Sequence, residues 1–337
     1  MSHPQIYIRS GVSKWWKVAY LLPLIIAVGI LVTHFSFYGK FLSDCGNPCS
    51  PITDETFSDV DPVDQTTTAT YVARASWTVI NGVQLLACIA GIVTAIVVIN
   101  SALSDEYADK KTRRLIILIV VVAAADVALC STLWAAIMDP HSPAQTLLRA
   151  TVGQDMGSIN KQQRYGDAWS LTATLCLAAA ACATVWQRNV NKKPEADDVA
   201  KRVRLLRPIL YVGATMLVIS VLRLSTTHAW AVSYLPPETD LGKSVAILTK
   251  GIIGTLGIVF TLLIAGIYLP AAIILRGRVR EVAPSQPDPA EWMNNERINL
   301  SFPQTLGRAI VLISPFLAGP LGERLVEATK ALGGLTS

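Results

Sequence analysis

Charge is what this sequence has least of: only 16% of its 337 residues are Asp, Glu, Lys or Arg. Soluble domains carry about 25%, so the two soluble domains that length alone would suggest are excluded. Cysteine is scarce, with six in the chain, which excludes a disulfide-dense secreted scaffold. The four histidines, His3, His34, His141 and His228, are scattered without metal-ligand spacing. There is no His-Glu-x-x-His, no Gly-x-Ser-x-Gly, no phosphate-cradling loop and no Gly-x-Gly-x-x-Gly after a strand. Neither metal nor cofactor is therefore expected, and no catalytic residue can be named. What the chain has is apolar residues, 52% of the total, far too many for a disordered chain.

Those residues gather into six runs: 18–38, 77–103, 115–138, 168–187, 208–230 and 245–275. A helix needs about 20 residues to cross a hydrocarbon core, and each run is long enough. Only helices satisfy their own backbone inside a bilayer. The expected fold is an all-α membrane protein, a bundle of six transmembrane helices. The first run is too long for a signal-peptide core and has no small-x-small cleavage site after it, so it reads as a retained anchor.

Six crossings put both termini on one face, and the basic residues choose it. Segments 1–17, 104–114, 188–207 and 276–337 hold 21 of the 29 Lys and Arg. By the positive-inside rule the N-terminus and C-terminus are cytoplasmic. The inner face then carries +9 and the outer face −5, a division concealed by the net +5. Such an inner face suits anionic lipid headgroups, and no nucleic acid is needed to explain it. Trp77, Trp134, Trp169 and Trp230 fall at outer ends and Trp15, Trp16 and Trp186 at inner ends, where amphipathic rings meet headgroups. The plasma membrane is the expected location.

Outer loop 39–76 contains Cys45-Gly46-Asn47-Pro48-Cys49. The turn-forming middle suits a disulfide between Cys45 and Cys49 in an oxidising compartment; two free thiols or half a metal site are the alternatives. Cys88, Cys130, Cys176 and Cys182 read as small packing residues. The rest of this loop is acidic and Thr-rich, a solvated segment or one that meets a partner. Loop 188–207 reads as a basic hinge, with Pro208 opening the next helix. In tail 276–337 the run 309–320 is short and holds Pro315 and Pro320, so it is expected to lie at the interface or dock, with a seventh span as the alternative. Leu321, Leu325, Ala328 and Leu332 behind it follow amphipathic helical spacing. Three spans in each half also fit an inverted repeat, although the halves show no sequence match.

The six runs hold three charged residues, Asp126, Arg223 and Lys250. Asp126 lies about 16 Å from the inner end of its run, near the midplane, where a carboxylate is a functional candidate by default. Arg223 and Lys250 are expected to snorkel to the outer interface. Asn81, Gln84 and His34 share the outer half. These six residues either line a polar cavity with Asp126 at its base or tie the helices together, and tying is the favoured reading. Gly251, Gly254 and Gly257 read as close-packing positions, and Pro270 as a kink. Function follows the same order: a non-catalytic signalling or assembly component acting through tail and outer loop, with protein partners or self-association, then a channel or transporter, then a membrane-embedded enzyme.

Overall fold

The computed structural model describes residues 21–30, 68–103, 156–186, 195–235, 239–296, 298 and 309–318. All regular structure among them is helical: α1 (22–30), α2 (Thr68–Leu103), α3 (Met156–Val185), α4 (Ala196–Val232), α5 (Asp240–Val282), α6 (Pro289–Asn295) and α7 (Ala309–Ala318). A 3-10 turn, Ala283–Ser285, links α5 to α6. Four of these helices, α2 to α5, are long and apolar enough to cross a membrane. They answer to four of the six expected runs. Of the other two, 18–38 is described only across α1, and 115–138, with Asp126, lies outside the described residues.

The helices outrun the apolar stretches that announced them. α2 begins nine residues before Trp77, α3 twelve before Ala168 and α4 twelve before Pro208. From Ala196 on, the expected basic hinge 188–207 is the first three turns of α4, while 188–194 lie outside the described residues; Pro208 stands inside the helix rather than at its start. Asp197 and Asp198 explain the earlier start, since acidic side chains favour the positive N-terminal end of a helix. Asp198 also holds Arg202 one turn on, at 2.9 Å. Val199 is buried with Val279 and Val282 of α5, against Trp292 and Met293 of α6. Hydropathy registers only the part of a helix inside the bilayer; dipole, ion pair and packing carry it further.

α3 is the central helix, with 78% of its apolar window buried against 33% for α2. Its sequence explains the position. Ala173, Ala178 to Ala181 and Ala183 are all buried, and small side chains let α2, α4 and α5 close upon it. Gly91 of α2 faces Ala173 at ordinary contact distance, and a Cβ on Gly213 of α4 would stand 2.8 Å from Ile264 of α5.

α2 shows the environment most plainly. Trp77, Asn81, Gln84, Cys88, Gly91, Ala95, Val98 and Ala102 are buried, separated alternately by four residues and three. That is the seam of a left-handed helix packing. The opposite face exposes Val79, Val83, Leu86, Ile89, Val93, Ile96 and Val97, with Leu86 67% exposed. Small and polar groups face the protein while large aliphatic groups face outward. In water that arrangement would be an aggregation hazard; in lipid it costs nothing, because acyl chains are as apolar as Leu.

Contacts fix the helix directions. Trp77 at the start of α2 meets Trp230 at the end of α4. Arg202 near the start of α4 meets Trp186 just past the end of α3, and Arg278 near the end of α5 meets Val185. α2, α3 and α5 therefore run one way and α4 the other.

Candidate intramembrane polar site

One buried polar cluster joins α2, α3 and α4 in the half of the bundle nearer Trp77 and Trp230. α3 supplies Gln163, Gly166, Asp167 and Ser170, spaced three, one and three residues apart and hence on one helical face. α4 supplies Ser220 and Arg223; α2 supplies Gln84 and Cys88.

Arg223 is its charged centre, only 4% exposed. Its Nη2 donates to Asp167 Oδ1, and its Nη1 to the carbonyl of Gln163 at 3.3 Å. Gly166 makes the approach possible, since a Cβ there would lie 2.5 Å from Nη1. The pair is lopsided: the Asp167 side chain is 42% exposed. Snorkelling, expected of Arg223, is therefore replaced by an ion pair within the bundle. The counter-charge comes from Asp167, one residue outside the run that opens at Ala168.

Gln84 closes the cluster from α2. Its Nε2 donates to Ser220 Oγ at 2.9 Å and to Ser170 Oγ. Both serines spend their own protons on their own helices, Ser170 on the Gly166 carbonyl at 2.8 Å and Ser220 on that of Met216 at 2.9 Å. Their oxygens are thus acceptors only, which suits an amide donor. Cys88 Sγ lies 3.6 Å from Ser170 Oγ. Three helices are joined by one amide.

Toward the helix ends, Asn81 turns back to the Trp77 carbonyl at 2.8 Å. Trp77 and Trp230 pack at 5.0 Å between centroids, with the Arg74 guanidinium 6.0 Å above Trp230. Both rings, expected at headgroup level, bury against each other, at 4% and 1% exposure. Thr226 and Thr227 each donate to the Arg223 carbonyl at 2.9 Å, and His228 Nδ1 lies 2.8 Å from that of Leu224. In this half of the bundle Arg223 Nε, Gln84 Oε1, His228 Nε2, Trp77 Nε1 and Trp230 Nε1 are buried with no hydrogen-bond partner among the described residues.

The opposite end is clamped by arginine. Arg202 Nη1 donates to the carbonyls of Thr184 at 3.2 Å and Trp186 at 2.5 Å, and Arg278 Nη2 to that of Val185 at 2.5 Å. The last carbonyls of a helix lack internal partners and carry its negative dipole end, so two guanidinium groups answer both needs. Arg204 pairs with Glu296 at 3.4 Å. Part of the basic charge read as a lipid-facing surface thus holds helices together.

Of the six sequence candidates, the structure brings Arg223 and Gln84 into the cluster and places Asn81 one turn above Gln84. Lys250 is exposed on α5, the placement a snorkelling side chain needs. Asp126 and His34 lie outside the described residues, as do Cys45 and Cys49. Cys88, Cys176 and Cys182 are buried free thiols. Asp167, Ser170 and Ser220 escaped sequence reasoning. Their signal was spacing, Asp167 with Ser170 and Ser220 with Arg223, each pair three residues apart. Comparison with protein-family models, with curated proteins and with solved structures gives no match to this chain.

Proposed function

We propose that this chain is a non-catalytic multi-pass component of the plasma membrane, with a cytoplasmic N-terminus, that assembles or signals through segments outside its bundle. One observation carries the reading: polar side chains inside the bundle are committed to one another across helices. Arg223 takes Asp167, and Gln84 takes both Ser170 and Ser220. Such bonds hold helices in one rotation and register, which is the structural use of polar groups in membranes. A scaffold needs that fixed geometry. The acidic outer loop and the cytoplasmic connections are the parts that remain for protein partners, and basic residues on the inner face suit anionic headgroups.

Transport of a small solute or ion is the second reading, favoured by the partnerless Arg223 Nε, Gln84 Oε1 and His228 Nε2. In that reading water or a solute completes these atoms, and Asp126 takes part near the midplane.

Flux separates the two. The whole chain reconstituted in liposomes should leak protons, potassium and chloride no faster than empty liposomes. Flux above that background, abolished by Asp126→Asn with the fold intact, would overturn the scaffold reading.

A further inference from the structure

The tail helix α7, expected at the interface or docked with a seventh span as the alternative, packs on α5. Pro315 and Phe316 lie over Gly257 of α5: a Cβ on that glycine would stand 3.1 Å from Phe316 Cα and 3.1 Å from the Pro315 carbonyl. The Phe316 backbone N–H donates to Thr261 Oγ1 at 3.2 Å. Gly257 and Thr261 are the middle of α5, which runs from Asp240 to Val282. Ala318, 1% exposed, packs with Ile253 of α5 and Val221 of α4. Partner numbers on α5 fall from 261 to 253 as the tail advances from 316 to 318, so α7 runs antiparallel to α5 and toward the Trp77 end. Its outer side exposes Ile310, Ile313, Phe316 and Leu317, the same aliphatic face that α2 turns to lipid.

The geometry points to α7 as the core of a seventh crossing that delivers the C-terminal residues to the outer face. Two features of the sequence agree. Residues 309–322 contain no charge. Arg308 and Glu323, which flank them, would be about 22 Å apart along a helix, and snorkelling with local thinning makes up the difference from a ~30 Å core. Of the seven Lys and Arg after residue 275, five precede α7. Beyond it stand Arg324 and Lys330 with Glu323 and Glu327, a neutral set. The positive-inside rule therefore keeps 276–308 inside and does not hold back 319–337. The carbonyl that Pro315 frees, that of Val311, accepts from Ser314 Oγ at 2.7 Å, which makes the proline tolerable inside a membrane. A partner that reads the last residues of this chain then meets them on the face that carries loop 39–76. An inverted repeat of three spans and three is no longer the topology.

The experiment is epitope sidedness in the full chain. One epitope is inserted after Gln286 and a second is appended after Ser337, each probed by antibody in intact and in permeabilised cells. The seventh crossing requires the two epitopes on opposite faces. Both on one face, as for a re-entrant or interfacial tail, overturns it. Gly257→Leu and Gly254→Leu then test the docking, since a Cβ at 254 meets nothing within 4 Å. Overlap with backbone opposes the docking, so Gly257→Leu should raise the fraction with both epitopes on one face about tenfold over Gly254→Leu. Equal fractions would refute the contact that fixes α7 in the membrane.

Discussion

Removing the Asp167 carboxylate should damage this protein more than removing its partner. Asp167→Ala leaves the Arg223 guanidinium in place, 4% exposed, with the Gln163 carbonyl at 3.3 Å as its remaining neutralising contact. Orphaning a fully buried charge costs about 3–5 kcal/mol, while breaking an exposed pair costs roughly 0.2–1 kcal/mol. Asp167 is 42% exposed, so water already reaches one side of the pair. An intermediate value of about 2 kcal/mol follows, about a 30-fold fall in the folded-to-unfolded ratio. Arg223→Met reverses the situation: the group left alone is the half-exposed carboxylate, which water can solvate, and the cost should be about 1 kcal/mol. In Arg223→Met with Asp167→Ala no charge is orphaned, so the double variant should be more stable than Asp167→Ala alone. The assay is reversible unfolding in mixed micelles, followed by circular dichroism and by fluorescence of the packed Trp77 and Trp230. The predicted order of stability is wild type, Arg223→Met, Asp167→Ala, with the double variant above the last. If Asp167→Ala proves harmless, or the double variant is the weakest of all, the ion pair does not anchor α3 to α4.

Five further substitutions test other joints by the same unfolding measurement. Gln84→Leu removes two interhelical bonds worth about 0.6 kcal/mol each in membranes, and it should cost about 1 kcal/mol, because Ser170 and Ser220 keep their intrahelical bonds. Gly213→Val meets Ile264 and Leu177 and should lose ~1–3 kcal/mol by overpacking, whereas Gly82→Ala, with nothing within 4 Å, should gain ~0.4–1 kcal/mol. Arg202→Ala should cost ~1–2 kcal/mol by uncapping α3, and Arg202→Lys should restore less than half of it, since one ammonium cannot span the carbonyls of Thr184 and Trp186.

Long apolar helices were legible because a bilayer selects length and hydropathy directly, and both are local properties of sequence. Their ends were less so. The first turns of α4 are Asp-, Lys- and Arg-rich and look like a loop until Val199 is seen packed on Val279 and Val282. Arg223 and Gln84 were singled out as polar residues inside the apolar runs, but Arg223 was expected to snorkel and its partner Asp167 was not among the candidates. Asp167 precedes the apolar run by one residue, and a boundary drawn by hydropathy assigned it to water. Its role depends on the rotation of α3 against α4 and on the missing Cβ of Gly166, and neither can be read along one strand of sequence. α7 was expected at the interface or docked, and it does dock on α5; the surface it meets was not legible, because Gly257 and Thr261 stand more than fifty residues away.

The seam of α2 shows why these polar groups belong to architecture. Lipid offers no penalty for exposing Leu86 or Ile96, so hydrophobicity cannot tell α2 which face to turn inward. Ala95 and Gly91 permit close approach without demanding it. Gln84 does demand it: its amide donates to Ser170 of α3 and Ser220 of α4 together, and a rotation of α2 by one residue, about 100°, would deliver that amide to acyl chains at a cost of several kcal/mol. One side chain thus sets the rotation of α2 against two neighbours, and Arg223 with Asp167 sets α4 against α3. A change in the rotation of α2 or α4 would have to break these bonds, so the cluster couples the packing of all three helices.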